Sequence, residues 1–160
     1  MKALTVYQPW ATLVMIGAKP FEFRKWDYRS RNPGLEGQRI VIHASAREIR
    51  PVEVEDILQR IADGESALKD ELALPLLQRV REAYRCRGVL ELAAGLGTAV
   101  IGRPRRVTDI FKGTPHDSDR LDQSVFGWPL TDIQPFPEPV PCRGLQGFWT
   151  WPHALELANR

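Results

Sequence analysis

Short apolar stretches separated by Gly and Pro open the chain, and the spacing of their apolar positions predicts what each becomes. Lys2 to Val6 alternates Leu4 and Val6 with Ala3 and Thr5, which predicts a first strand. Gln8-Pro9-Trp10 opens a helix, because proline is preorganised for the first helical position. Ala11 to Ile16 carries no charge and no polar face, so that helix is expected to be buried, and Gly17 stops it. From Phe21 onward the residues alternate again, Phe21 and Phe23 against Glu22, Arg24 and Trp26. Successive side chains of a strand leave on opposite faces. The two phenylalanines should therefore anchor in a core while Glu22, Arg24 and Trp26 line one surface, with Lys19 close enough to reach it.

Further along, Tyr28 to Gln38 reads as a loop and Arg39 to Ser45 as a β-branched strand, on which His43 is expected to be a hydrogen-bonded structural residue. Residues 51–63 place Val54, Ile57, Leu58, Ile61 and Ala62 on one helical stripe, with Glu53, Glu55 and Asp56 on the solvent side. Pro75 is expected to start another helix with Leu76, Leu77 and Val80 inward. The segment 88–95 fits helix or strand. Ala99–Ile101 and Val107–Ile110 read as two strand halves broken at Gly102-Arg103-Pro104, and Phe126–Ile133 as a strand with Pro129 at an edge or bulge. Pro135 to Pro141 reads as an extended connector, residues 144–151 as a closing strand, and Pro152 as the start of a short helix. Lys112 to Ser124 is a polar loop; its His116, Asp117, Asp119 and Asp122 lack the spacing of a calcium loop.

This organisation predicts one α+β domain over 1–160: a small, partly open β-barrel with a buried N-terminal helix and a helical insertion around 51–85. Composition adds limits. The two cysteines, Cys86 and Cys142, stand far apart, so neither a disulfide framework nor a metal knuckle is expected. With no long apolar run, a cytoplasmic protein without a membrane partner is the expectation. Walker A, Rossmann and GxSxG motifs are absent, which excludes those enzyme classes; no cofactor is expected. Net charge is only +2, but its distribution is uneven. Residues 19–50 hold eight Lys/Arg against four Asp/Glu, residues 79–112 eight against three, and residues 51–78 two against seven. Folded side by side, the two basic segments would make a face suited to a polyanion.

The pattern Gly17-x-Lys19-x-x-Glu22-x-Arg24 after an early helix resembles the signature of the ASCH domain, in the PUA-like β-barrel superfamily. Gln8-Pro9-Trp10-Ala11, Ile42-His43-Ala44-Ser45, Phe126-Gly127-Trp128 and Gly144-Leu145-Gln146-Gly147-Phe148-Trp149 resemble further segments of bacterial and phage-type members, so the likeness runs along essentially the whole chain. The resemblance implies a PUA-like barrel whose cleft binds RNA or a nucleoside-like ligand. Gln8, Lys19, Glu22, Arg24, Trp26, Ser45 and Trp128 are then the expected ligand-binding residues, with a base stacked on Trp26 or Trp128. Trp10 and Trp149 are expected to be structural. Related amidohydrolases of acetylated cytidine carry a lysine in the same motif region, and a threonine where this chain has Glu22. An amidohydrolase or ribonuclease is thus the alternative, with Lys19 and Glu22 as the catalytic pair: Glu22 as base for a water and Lys19 as electrostatic stabiliser.

Overall fold

The computed structural model describes residues 1–111 and 125–153. The polar loop with His116, Asp117, Asp119 and Asp122, and the helix expected after Pro152, lie outside the described residues. Seven strands form one sheet: β1 (Lys2–Val6), β2 (Phe21–Arg24), β3 (Arg39–Ala44), β4 (Ala94–Ile101), β5 (Arg105–Arg106), β6 (Phe126–Pro141) and β7 (Phe148–Thr150). The order across the sheet is β2-β6-β4-β3-β1-β7, with β5 also on β6. Among the described residues only β1 and β3 run parallel; the other pairings are antiparallel. The sheet curls into a partial barrel, and helices α1 (Trp10–Met15), α2 (Pro51–Ala62), α3 (Asp70–Glu82) and α4 (Val107–Ile110) accompany it.

Helix α1 explains its own lack of a polar face. Ala11 and Val14 pack into the barrel cluster with Leu4, Ile40, Ile42 and Trp128, while Leu13 packs into a second cluster with Val54, Ile57, Leu77 and Val80 of α2 and α3. The helix is wedged between two apolar layers. Gly17 takes φ +75°, and its N–H reaches the Val14 carbonyl at 2.9 Å. That left-handed stop folds the chain back, and Lys19 N–H then bonds the Leu13 carbonyl at 3.0 Å. The reversal delivers Lys19 beneath the helix and starts β2.

Several sequence expectations need correction. Val107–Ile110 is one helical turn, not a strand: Val107 N–H bonds the Val125 carbonyl and Phe111 N–H bonds the Val107 carbonyl. A short apolar run has no periodicity to separate the two states. Helix α3 begins at Asp70, with Pro75 inside it. Asp70 and Glu71 occupy its first turn, where negative charge suits the helix dipole. The proline-rich connector is the second half of β6. Its prolines fall at 135, 137, 139 and 141, two of them within a bulge where no ladder donor is needed. The ladder with β4 is interrupted there: Gly97 pairs with Pro135 and Gly95 with Val140, so residues 136–139 bulge out of it, and Cys142 N–H extends the far end to the Ala93 carbonyl at 2.9 Å. Glu53 is not a solvated face residue: it caps α2 and is half-enclosed by Arg47 and Arg50.

Candidate functional site

The two-residue period of β2 does what the sequence implied, within limits. Glu22 pairs across the sheet with Trp128 and Arg24 with Phe126, so both project toward the open side of the barrel. Glu22 Oε1 accepts from Arg24 Nη2 at 2.7 Å, and Lys19 Nζ stands 3.6 Å from Glu22 Oε2. The side chains of Lys19 and Glu22 are only 3% and 7% exposed, while that of Arg24 is 32% exposed. The Lys19 ammonium also lies over the rings of Trp10, at 5.3 Å, and Phe23, at 5.0 Å. One carboxylate thus sits between two cations, an arrangement that holds three long side chains in one geometry. Phe21 and Phe23 stack at 6.2 Å and meet Phe111, and Phe23 also borders the cleft. Phe23 is buried, whereas Phe21 is only half-buried.

This trio borders a cleft of about 1150 Å³, whose lining also includes Tyr7, Trp26, His43, Ser45 and the strap Pro141–Gly147. Two side chains hold the strap by its carbonyls. Thr5 Oγ1 donates to the Leu145 carbonyl at 2.7 Å, and His43 Nε2 donates to the Cys142 carbonyl at 2.8 Å. Gly144 lies so close to the imidazole that a Cβ there would stand 2.4 Å from His43 Cε1. His43 is therefore structural, as its place on a strand suggested. Burial lowers its pKa below the ordinary 6.5, against the opposing pull of its bond to Cys142. A depressed folded value means that the unfolded chain takes up the proton first. The stability this group contributes is complete above about pH 6.5 and is lost as pH falls from there through the folded value. Urea titrations between pH 8 and pH 5 should show stability declining below pH 6.5, with the His43 ring of the folded protein titrating below 6.5 by NMR. A ring that titrates at or above 6.5 would contradict the buried geometry.

The other nominated residues separate into two groups. Ser45 borders the cleft, and its Oγ accepts from Arg47 N–H at 3.1 Å. Trp26 lies beyond the end of β2 and borders the cleft; its ring packs edge-on against Trp128 at 5.0 Å and carries Arg31 at 5.4 Å. Trp128 is fully buried, stacked on Phe148 at 5.6 Å and edge-on to Tyr28, and its indole N–H bonds the Trp26 carbonyl at 3.2 Å. It offers no open face for a base. Gln8 is buried too. Its Nε2 donates to Thr12 Oγ1 and to the Glu91 carbonyl, both at 2.8 Å, and its Oε1 accepts from Thr12 N–H. That satisfied amide ties the β1–α1 junction to the chain entering β4. Of the tryptophans expected to be structural, Trp149 packs on His43 and Trp151, and Trp10 also carries Lys19. Sequence reasoning missed Tyr7, which is exposed at the cleft, because a lone tyrosine between a strand and a helix carries no periodic signal. Among the described residues no group of His, Cys, Asp and Glu could hold a metal, and no helix is long and apolar enough to cross a membrane.

A mixed sheet curled into a partial barrel, with a charged cleft at its open side, is the architecture of a PUA-like domain. The ASCH domain profile matches residues 4–93, more than half of the chain, and the protein belongs to the ASCH domain family. The match takes in Lys19, Glu22, Arg24 and Ser45 and ends before β4, so the likeness seen around Trp128 and Gly144 lies outside it. A comparison with curated proteins finds no match.

Proposed function

We propose that the cleft binds RNA, taking one nucleotide of a strand against Lys19, Glu22 and Arg24. The observation that carries this reading is the Lys19–Glu22–Arg24 trio, its lysine and glutamate buried and its arginine partly open, bordering a cleft of about 1150 Å³. Arg24, the most exposed of the three, meets phosphate or carbonyl oxygens, and Glu22 accepts from an exocyclic amine. Family membership supports the same reading, since RNA binding has been suggested for ASCH domains.

Affinity for short single-stranded RNA should fall steeply between low and moderate salt, because each phosphate contact releases counterions. Arg24→Ala should weaken binding about tenfold or more and flatten that slope, whereas Glu71→Ala, exposed on α3, should change neither. Glu53 is unsuitable as the control, since it caps α2 and holds Arg47. Salt-independent binding, or equal losses in both variants, would refute a phosphate-reading cleft.

A second reading, hydrolysis of an amide on a modified base or cleavage of RNA, draws on the proximity of Lys19 and Glu22. Glu22 would take a proton from water and Lys19 would stabilise the oxyanion. Against it, both carboxylate oxygens already face cations. Binding without turnover is the reading the geometry favours.

A further inference from the structure

We infer that Tyr7 is the platform on which the base of the bound nucleotide stacks, and that the helical insertion serves to hold it. The inference rests on the nucleic-acid reading of the cleft and specifies which part of the ligand is gripped, and by what. Two large apolar side chains among the described residues are both strongly exposed and part of the cleft lining: Tyr7 at 48% and Leu145 at 57%. Of these two, only Tyr7 presents a flat π-surface. The other aromatic rings that border the cleft are already engaged. Trp10 and Phe23 take the Lys19 ammonium, and Trp26 is half-buried and packed edge-on against Trp128.

Tyr7 is also held in place by a cation. The Arg47 guanidinium lies 4.3 Å from the centre of its ring. Arg47 is anchored at both ends: its N–H donates to Ser45 Oγ at 3.1 Å, and its Nη2 donates to Glu53 Oε1 at 2.7 Å. Glu53 stands at the start of α2, where it also accepts from the Arg50 backbone N–H at 3.1 Å and from Arg50 Nη2 at 2.8 Å. Burial alone would raise the Glu53 carboxyl, but the hydrogen bonds from Arg47 and Arg50 hold it below its ordinary value. The carboxylate is therefore charged at neutral pH and keeps Arg47 in place. A ring held by a cation and still half exposed at the border of a cleft is preorganised to stack, and it brings a guanidinium close enough to add attraction for the adjoining phosphate. The acidic insertion thus gains a role in the site. Its first turn supplies the carboxylate that positions Arg47, and Arg47 positions Tyr7.

The test uses the full chain and a short single-stranded RNA carrying one 2-aminopurine, whose fluorescence is quenched when it stacks. Tyr7→Leu keeps bulk and removes the ring; Tyr7→Phe keeps the ring and removes the hydroxyl. Tyr7→Leu is expected to weaken binding about 5- to 150-fold, the value of one base–aromatic stack, and to abolish the quench. Its salt slope should match the wild type, because no phosphate contact is removed. Tyr7→Phe should keep both affinity and quench, and circular dichroism should show both variants folded, since the side chain is exposed. Wild-type affinity and quench in Tyr7→Leu would overturn the platform while leaving RNA binding intact. A wild-type protein that binds no RNA would overturn the reading of the cleft, and the platform with it.

Discussion

Replacing Trp128 with alanine should cost about 3–5 kcal/mol of folding free energy, the range for deleting a large aromatic side chain from a packed core. The indole is fully buried, contacts Tyr28, Trp26 and Phe148 with ring centres 5.0–5.6 Å apart, and donates its N–H to the Trp26 carbonyl. Its neighbours cannot collapse into the vacancy easily. Tyr28 is itself fully buried and pinned through its hydroxyl to the Gly102 carbonyl at 2.9 Å, and burial pushes its phenol pKa up to about 12. The Arg24 guanidinium, 5.9 Å from the Trp128 ring, would lose part of its support as well. Urea denaturation should show a much lower midpoint with little change in slope. Trp26→Ala, at a half-buried position, should cost distinctly less. Equal and small losses in the two variants would mean that Trp128 is not the packed centre of the barrel.

Glu22→Gln is expected to have the second large effect, and it separates binding from catalysis. The substitution keeps the shape of the side chain but removes a negative charge from between Lys19 and Arg24. Taking one partner from a buried ion pair destabilises by about 3–5 kcal/mol, because the remaining charge stays in a poorly solvated site. The lower end applies here, since Arg24 reaches solvent. If Glu22 reads a ligand amine or orients Arg24, RNA affinity should fall about tenfold, as a charge-assisted acceptor becomes a neutral amide. No turnover should exist to lose. If Glu22 is instead a catalytic base, affinity should hold within a few-fold while turnover of acetylated cytidine or RNA vanishes. Following product and affinity together, at a temperature where the variant is folded, decides between them. Robust turnover in the wild type that disappears in Glu22→Gln would make this an enzyme.

Local pattern was sufficient for some elements and insufficient for others. The alternation in residues 21–24 places Glu22 and Arg24 on one face whatever surrounds them, because side-chain direction in a strand has period two. The glycine at 17 and the charge-free run before it specify a buried, abruptly ended helix, because glycine takes a left-handed stop without strain. The apolar stripe of residues 54, 57 and 61 specifies the packed face of α2 for the same kind of reason. These are short-range facts, and the family resemblance rests on them.

What the tertiary structure decided is exposure and partnership. Trp128 and Trp26 are the same residue type, yet the cross-strand partner of Glu22 turns inward to Tyr28 and Phe148, while Trp26 stays at the cleft. Gln8 carries the chemistry of a ligand-reader and spends it on Thr12 and Glu91, 83 positions away in the second case. Tyr7 carries no motif at all; it is exposed at the cleft, and Arg47, far along the chain, comes to lie against its ring, held by the first turn of α2. A side chain's type and its direction are set within a few residues. Whether it meets solvent, a ring or a carboxylate is set by which distant strand or helix packs beside it, and no local pattern encodes that.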